Sequence, residues 1–240
     1  MRILAIETAT IEVGVALVDE TGPLACVTAR PGRRQAETLH PAIADALRTA
    51  RLSPAELDAI AVDIGPGLFT GLRVGVAAAK AFAAALGLPV VTVTSLEVLR
   101  AACPHATADV VPVLDMRRGE VAWLMADTAA SKMRVGTPFE LAAELAGRYL
   151  VPSGALGPVL LVGDGALRYR DQLEHALDPA PLFAGIELAA PPVASLGVLA
   201  IVAMRSGLCC DPATVRPLYG READARINWS SRQGRESVSR

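Results

Sequence analysis

One unit occurs twice in this chain, and that repeat limits the fold more than any other feature. Laid without gaps, residues 4–19 fall on residues 112–127, with Glu7 on Asp115, Glu12 on Glu120, Val13 on Val121 and Asp19 on Asp127. Each copy reads as an apolar strand, an acidic residue, a short polar turn and a second strand. Further on, Ile64-Gly65-Pro66-Gly67 has its counterpart in Val162-Gly163-Asp164-Gly165, a strand running into a glycine loop before a helix. Matching roles in matching order predict a duplicated domain.

The stretches between these units fill in the rest. Residues 2–8, 13–19 and 24–30 predict three strands, with Glu20-Thr21-Gly22-Pro23 as a turn. A helix follows with Leu39, Ile43, Leu47 and Ala50 on one stripe, and Pro41 sits in its first turn or kinks it. Ser53-Pro54-Ala55-Glu56 is a capping-box start for a short turn, and residues 59–64 form a buried strand. Thr70 is expected to cap a long apolar helix reaching about Leu86. Residues 90–94 predict a strand, Ser95 the cap of a helix to about Cys103, and residues 193–207 a final core helix. The order β-β-β-α-β-α-β is the ribonuclease H-like pattern of a mixed sheet flanked by helices. Duplicated, it predicts the two-lobed actin-like ATPase (ASKHA) architecture. The expected division is an N-terminal lobe at 1–106 and a reduced C-terminal lobe at 107–220. A polar, mobile tail rich in Arg and Ser is expected at 221–240.

Composition narrows the function. The chain is 52% apolar but only 4% aromatic, so its core must be built from Ala, Val, Leu and Ile. The apolar run 74–94 is interrupted by Lys80, Gly87 and Pro89, and 193–204 is too short to cross a bilayer, so no membrane association is expected. Residues 1–6 run directly into Glu7 without signal-peptide features, which predicts a cytoplasmic protein. The four cysteines show no C-x-x-C spacing and read as reduced thiols. The three histidines lie far apart, and no metal site is predicted. A net charge of −2 gives no global basic footprint for nucleic acid.

Two regions are candidates for chemistry. The turn Glu7-Thr8-Ala9-Thr10 offers backbone N–H groups and hydroxyls to phosphate oxygens, and Asp115 would supply an opposing carboxylate. Gly65, Gly67 and Thr70 precede a helix, the arrangement of an anion-binding N-terminus, and Arg117 follows Asp115 in its turn. Plain turn-capping accounts equally well for Glu7 alone, for the glycine loop and for Arg117, whereas Glu7 together with Asp115 favours a nucleotide cleft or its relic; no Walker Gly-Lys-Ser/Thr follows. The second region is the helix after Gly67. There Gly71, Gly75, Ala79, Ala83 and Gly87 recur every fourth residue and leave a bare ridge. Such a ridge admits close approach, either by the protein's own sheet or by a helix of another subunit. Arg73 and Lys80 would rim the second kind of contact.

Four segments carry a resemblance to a known family. Arg2-Ile3-Leu4-Ala5-Ile6-Glu7-Thr8-Ala9-Thr10, Gly65-Pro66-Gly67-Leu68-Phe69-Thr70-Gly71-Leu72-Arg73-Val74-Gly75, Asp115-Met116-Arg117-Arg118-Gly119-Glu120-Val121 and Pro217-Leu218-Tyr219 resemble the TsaB (YeaZ) family over about residues 1–221. The chain departs from the family pattern at Leu68, Gln35 and Gly220. The resemblance implies a noncatalytic subunit of the bacterial machinery for threonylcarbamoyladenosine in tRNA. In that machinery a TsaD-like partner of the same fold carries a metal-binding histidine pair and modifies the adenosine next to the anticodon. It implies dimerisation with that partner through Leu39, Ile43 and Leu47 of one helix and Gly71, Arg73, Gly75, Ala79, Lys80, Phe82 and Ala83 of the next. A TsaE-like ATPase would bind nearby and tRNA would be met only through the complex; without the partner, the small-residue ridge could pair with its own copy, leaving a homodimer open to the chain alone. No cofactor of its own is expected, with ATP or ADP placed only at the interface with partners. The alternatives are a stand-alone actin-fold ATPase or small-molecule kinase using Glu7 and Asp115, and a metallopeptidase, which the absent histidine pair disfavours.

Overall fold

The computed structural model describes residues 1–32, 34–125, 132–150 and 157–220. The first half contains β1 (Ile3–Glu7), β2 (Val13–Asp19), β3 (Gly22–Ala29), α1 (Gln35–Ala50), β4 (Ala59–Asp63), α2 (Phe69–Leu86), β5 (Val90–Val93) and α3 (Ser95–Ala101). The second contains β6 (Asp109–Arg117), β7 (Glu120–Trp123), β8 (Arg134–Gly136), α4 (Pro138–Tyr149), β9 (Val159–Val162), α5 (Asp164–Arg168), α6 (Arg170–Ala176), β10 (Leu182–Phe183) and α7 (Val193–Arg205).

The two sheets repeat one order, β3-β2-β1-β4-β5 and β8-β7-β6-β9-β10. In each, the central strand runs antiparallel to the second strand of its unit and parallel to the fourth. Gly65 and Gly163 hold the same left-handed backbone, with φ of 110° and 107°, where each fourth strand leaves its sheet. That conformation suits glycine. The second copy keeps every strand and shortens the outer ones, with three residues in β8 and two in β10. Its hairpin is also tighter by one residue, since Glu7 pairs with Gly14 whereas Asp115 pairs with Val121. The turn closes through Arg118 and Gly119 at φ of 54° and 82°, the positive pair that matches strand twist. The proposed equivalence of Asp19 with Asp127, and the tail at 221–240, lie outside the described residues.

The helical layers tie the halves together. α1 and α2 cover one face of the first sheet, placing Leu39, Ile43, Val76 and Ala79 against Leu4 and Ile60. The other face is covered by α7, whose Leu196 and Ala200 pack on Ile3, Ala16 and Val18. A Cβ on Gly197 would stand 2.6 Å from Val18, so glycine sets how closely this helix lies. α3 in turn packs Leu96 and Leu99 on Leu114 and Val162 of the second sheet. Residues 209–219 return to the first lobe: Cys210 and Val90 exchange backbone hydrogen bonds of 3.0 and 2.8 Å, Val215 enters the first core, and Leu218 N–H donates to Ile64 O at 2.7 Å. The packed layers therefore cross the sequence division at 106/107.

Two helix starts differ from the sequence reading. α2 begins after Leu68, without a side-chain cap, and Thr70 lies exposed inside its first turn. α3 is capped by Thr94, which forms a capping box with Glu97, while Ser95 is buried and used elsewhere. The 18 residues of α2 are long and apolar enough, by those measures alone, to cross a membrane. In the fold its Leu72, Val76, Ala79 and Ala83 are buried core residues.

Candidate functional site: a closed cleft and an outward helical face

Glu7 ends β1 and Asp63 ends β4, side by side because Ile6 and Val62 are register partners. Both are fully buried. Glu7 Oε1 accepts from Ala9 N–H at 2.6 Å, and Asp63 Oδ1 accepts from Gly65 N–H at 2.7 Å and from the Ser95 hydroxyl at 2.8 Å. Burial, reinforced by the neighbouring Asp63 charge and the bond to its carboxyl, pushes the Glu7 carboxyl well above its usual range. Burial also raises Asp63, opposed by bonds from Glu7, Gly65 and Ser95. Sequence reasoning paired Glu7 with Asp115 and missed Asp63. The signal was an acidic residue closing the otherwise apolar strand 59–63, two residues before Gly65.

The loops after these strands close on each other. Leu68 N–H donates to Ala9 O at 2.6 Å, and a Cβ on Gly67 would collide with that same carbonyl. Gln35, a polar residue in line with Leu39 and Ile43, donates through Nε2 to Thr10 O at 2.7 Å. Thr10 Oγ1 accepts from Glu12 N–H at 3.3 Å, so the turn's hydrogen-bonding groups are largely engaged internally.

Asp115 lies across the cleft, but its carboxylate is taken up locally. It accepts from Arg117 N–H at 2.9 Å and from Arg117 Nη1 at 3.2 Å. Arg168 Nε stands 3.5 Å away, and the Tyr169 hydroxyl donates at 3.3 Å. Asp164, raised by burial, accepts the Asp115 N–H at 2.9 Å. Between Thr10, Gly67, Leu68, Asp115, Arg117 and Asp164 remains a cavity of about 20 Å³. That suits one water, whereas small-ligand pockets run to hundreds of Å³.

The structure turns the bare ridge of α2 inward. Gly71, Gly75, Ala79 and Ala83 are all buried. A Cβ on Gly71 would collide with Thr8 O, and one on Gly75 with Thr8 Oγ1. The ridge is bare so that the β1 turn can lie on it. Leu39 and Ile43 are likewise core residues, and Leu47 is partly buried against the same core. The outward stripe of α2 is Thr70, Arg73, Ala77, Ala81 and Ala84, and His40, Ala44 and Arg48 of α1 are likewise exposed. Phe82 is half-buried between the helices, its ring 6.1 Å from that of His40. Arg73 lies over the Phe69 ring at 3.7 Å and donates to the Tyr219 hydroxyl at 3.3 Å. Lys80 donates to Ala213 O and Val215 O, both at 3.3 Å.

Two sheets of one repeated order, interlocked by exchanged helices around a common cleft, define a duplicated ribonuclease H-like, actin-like (ASKHA) protein. A family model described as TsaD, tRNA N6-adenosine threonylcarbamoyltransferase, matches residues 29–229. The chain belongs to this family, and within it to the TsaB (YeaZ) group. The tRNA threonylcarbamoyladenosine biosynthesis protein TsaB of Bacillus subtilis (strain 168) is 36% identical over 121 residues, covering 50% of this chain and 53% of that protein. The protein of the same name from Haemophilus influenzae is 26% identical over 243 residues, covering 98% and 99%. A solved structure of YeaZ from Pseudomonas aeruginosa superposes with a TM-score of 0.73 at 26% identity, covering 91% of this chain and 99% of that one. Matches to the first curated relatives span about half of their length or less.

Proposed function

We propose that the chain is a noncatalytic partner subunit in the biosynthesis of tRNA N6-threonylcarbamoyladenosine. In this reading it binds and activates a TsaD-like catalytic subunit in the cytoplasm and meets tRNA only through the complex. The observation that carries the reading is the contrast between its two faces. The cleft is filled by its own loops, and its carboxyl groups are engaged within the chain. The α1–α2 surface instead turns small side chains outward at helical spacing: Ala44, Ala77, Ala81 and Ala84. Small outward residues let a partner helix approach closely. Arg73, Lys80 and the half-buried Phe82 rim and anchor that face. Gly71, Gly75, Ala79, Ala83, Leu39 and Ile43 act from beneath, fixing the two helices on the sheet. A TsaE-like ATPase, and ATP or ADP, enter at the interface with partners.

The stand-alone ATPase reading requires Glu7 and Asp115 to act on a bound nucleotide. Steady-state ATP hydrolysis by the purified chain tests it. We expect no turnover above a Glu7→Ala, Asp115→Ala control, and robust turnover lost in that control would overturn the subunit reading.

A further inference from the structure

We propose that Glu7 and Asp63 share a single proton, and that this proton latches the cleft closed. Glu7 and Asp63 end neighbouring parallel strands, and Glu7 Oε2 and Asp63 Oδ2 are both buried without a hydrogen-bond partner. Two carboxylates buried side by side repel unless something positive lies between them. The cleft cavity is bounded by Ala9, Thr10 and Gly67 and by neither carboxyl group, so it does not bring a hydrated cation between them. A proton fits. Protonated at Oε2, Glu7 donates to Asp63 Oδ2, and both free oxygens are satisfied at once.

The pair is placed to act as a latch because its other oxygens hold the two lips. Glu7 Oε1 holds Ala9 N–H, and Asp63 Oδ1 holds Gly65 N–H. The lips meet where Leu68 N–H donates to Ala9 O. One proton thus links the β1 turn to the Gly65–Leu68 loop through the ends of adjacent parallel strands. The surroundings are otherwise nearly uncharged. β2 brings Gly14, α7 brings Val193 and α1 brings the neutral Gln35, while α3 brings Ser95 and Glu97. The Glu97 carboxylate lies close enough to oppose a negative charge on Asp63.

The sign follows from proton counting. Above the ordinary carboxylate range the folded chain keeps a proton that the unfolded chain has released. The folding equilibrium therefore weakens by up to about tenfold per pH unit until the folded pair itself ionises. Loss of that proton leaves two like charges at the ends of β1 and β4, and the lips part.

The test is a pH series of denaturant unfolding on the full chain and on Glu7→Gln. The amide introduced by that substitution would donate to Asp63 without titrating. We expect the folding constant of the native chain to fall with pH, relative to the variant, by up to about tenfold per unit above about pH 5. Carbon-detected NMR of the native Glu7 carboxyl should show it titrating above the usual carboxylate range. Amide exchange at Ala9 and Leu68 should accelerate as it ionises. Parallel pH profiles, or a Glu7 resonance titrating near the usual value of about 4.3, would overturn the latch. So would a divalent cation that stabilises the native chain and not Glu7→Gln, since the group between the carboxyls would then be a metal. If Glu7→Gln does not fold, the NMR titration of the native chain decides.

Discussion

The Thr8 hydroxyl donates to the carbonyl oxygen of Gly71 at 2.8 Å, tying the end of β1 to the first turn of α2. Gly75, one turn on, leaves room for that same hydroxyl. The small-residue ridge of α2 is therefore the bed of the protein's own β1 turn, and the exposed side of the helix is the opposite one.

Enlarging the ridge is expected to damage the fold before any interface. Gly75→Leu forces a side chain into Thr8 Oγ1 and the Ile6 side chain. Overpacking of this kind costs about 1–3 kcal/mol, or more where backbone must shift. The thermal midpoint should fall by roughly 5–10 °C on the scale of a chain this size. Calorimetry checks it, and an unchanged midpoint would contradict the packing.

Enlarging the outward stripe should have the opposite profile. Ala81→Trp places a large ring on an exposed position of α2, where substitutions usually change stability by less than about 0.5 kcal/mol. Its thermal midpoint should stay near that of the native chain. Co-elution with a TsaD-like partner in size-exclusion chromatography should weaken at least tenfold.

Much of this architecture is legible in the sequence because it rests on patterns the chain must repeat. The duplicated strand–turn–strand unit predicts two sheets of one order, and apolar strands followed by Gly65 and Gly163 place the crossovers correctly. The direction of the α2 ridge is not legible. Glycine spacing shows that something lies close, but the identity of the neighbour depends on where β1 ends in space. Asp63 escaped for a similar reason. Its role comes from register with β1, a long-range relation that no local pattern carries. The exchange of α3 and α7 between sheets is likewise a tertiary fact, since both helices are apolar enough to pack on either.

The strap at residues 209–219 should contribute to the stability of the first lobe. Val215 is buried in that lobe's core, and Lys80 Nζ holds the carbonyl of Val215 itself and that of Ala213. Val215→Ala should destabilise by about 2 kcal/mol and lower the midpoint by roughly 5 °C. Lys80→Met should have a smaller effect, on the order of 1 kcal/mol, from two lost charge-assisted bonds. Denaturant titration of each variant checks the order.

Acid should remove two capping interactions. Glu140 accepts from Thr137 N–H at 2.6 Å and Glu56 from Ser53 N–H at 2.9 Å, and these backbone bonds, helped by the hydroxyls, hold both carboxyls below their usual range. A lowered carboxyl stabilises the fold above its unfolded value and loses that contribution as pH falls through the folded value. Unfolding profiles below about pH 4.3 should therefore be shallower for Glu140→Gln than for the native chain.

The most direct test of the subunit assignment is reconstitution on tRNA followed by modified-nucleoside analysis. A TsaD-like subunit with its ATPase partner should form threonylcarbamoyladenosine efficiently only when this chain is added. Ala81→Trp should abolish the gain, and Glu7→Gln should preserve it. Equal product with and without the chain, or product formed by the chain in the absence of the TsaD-like subunit, would contradict the account.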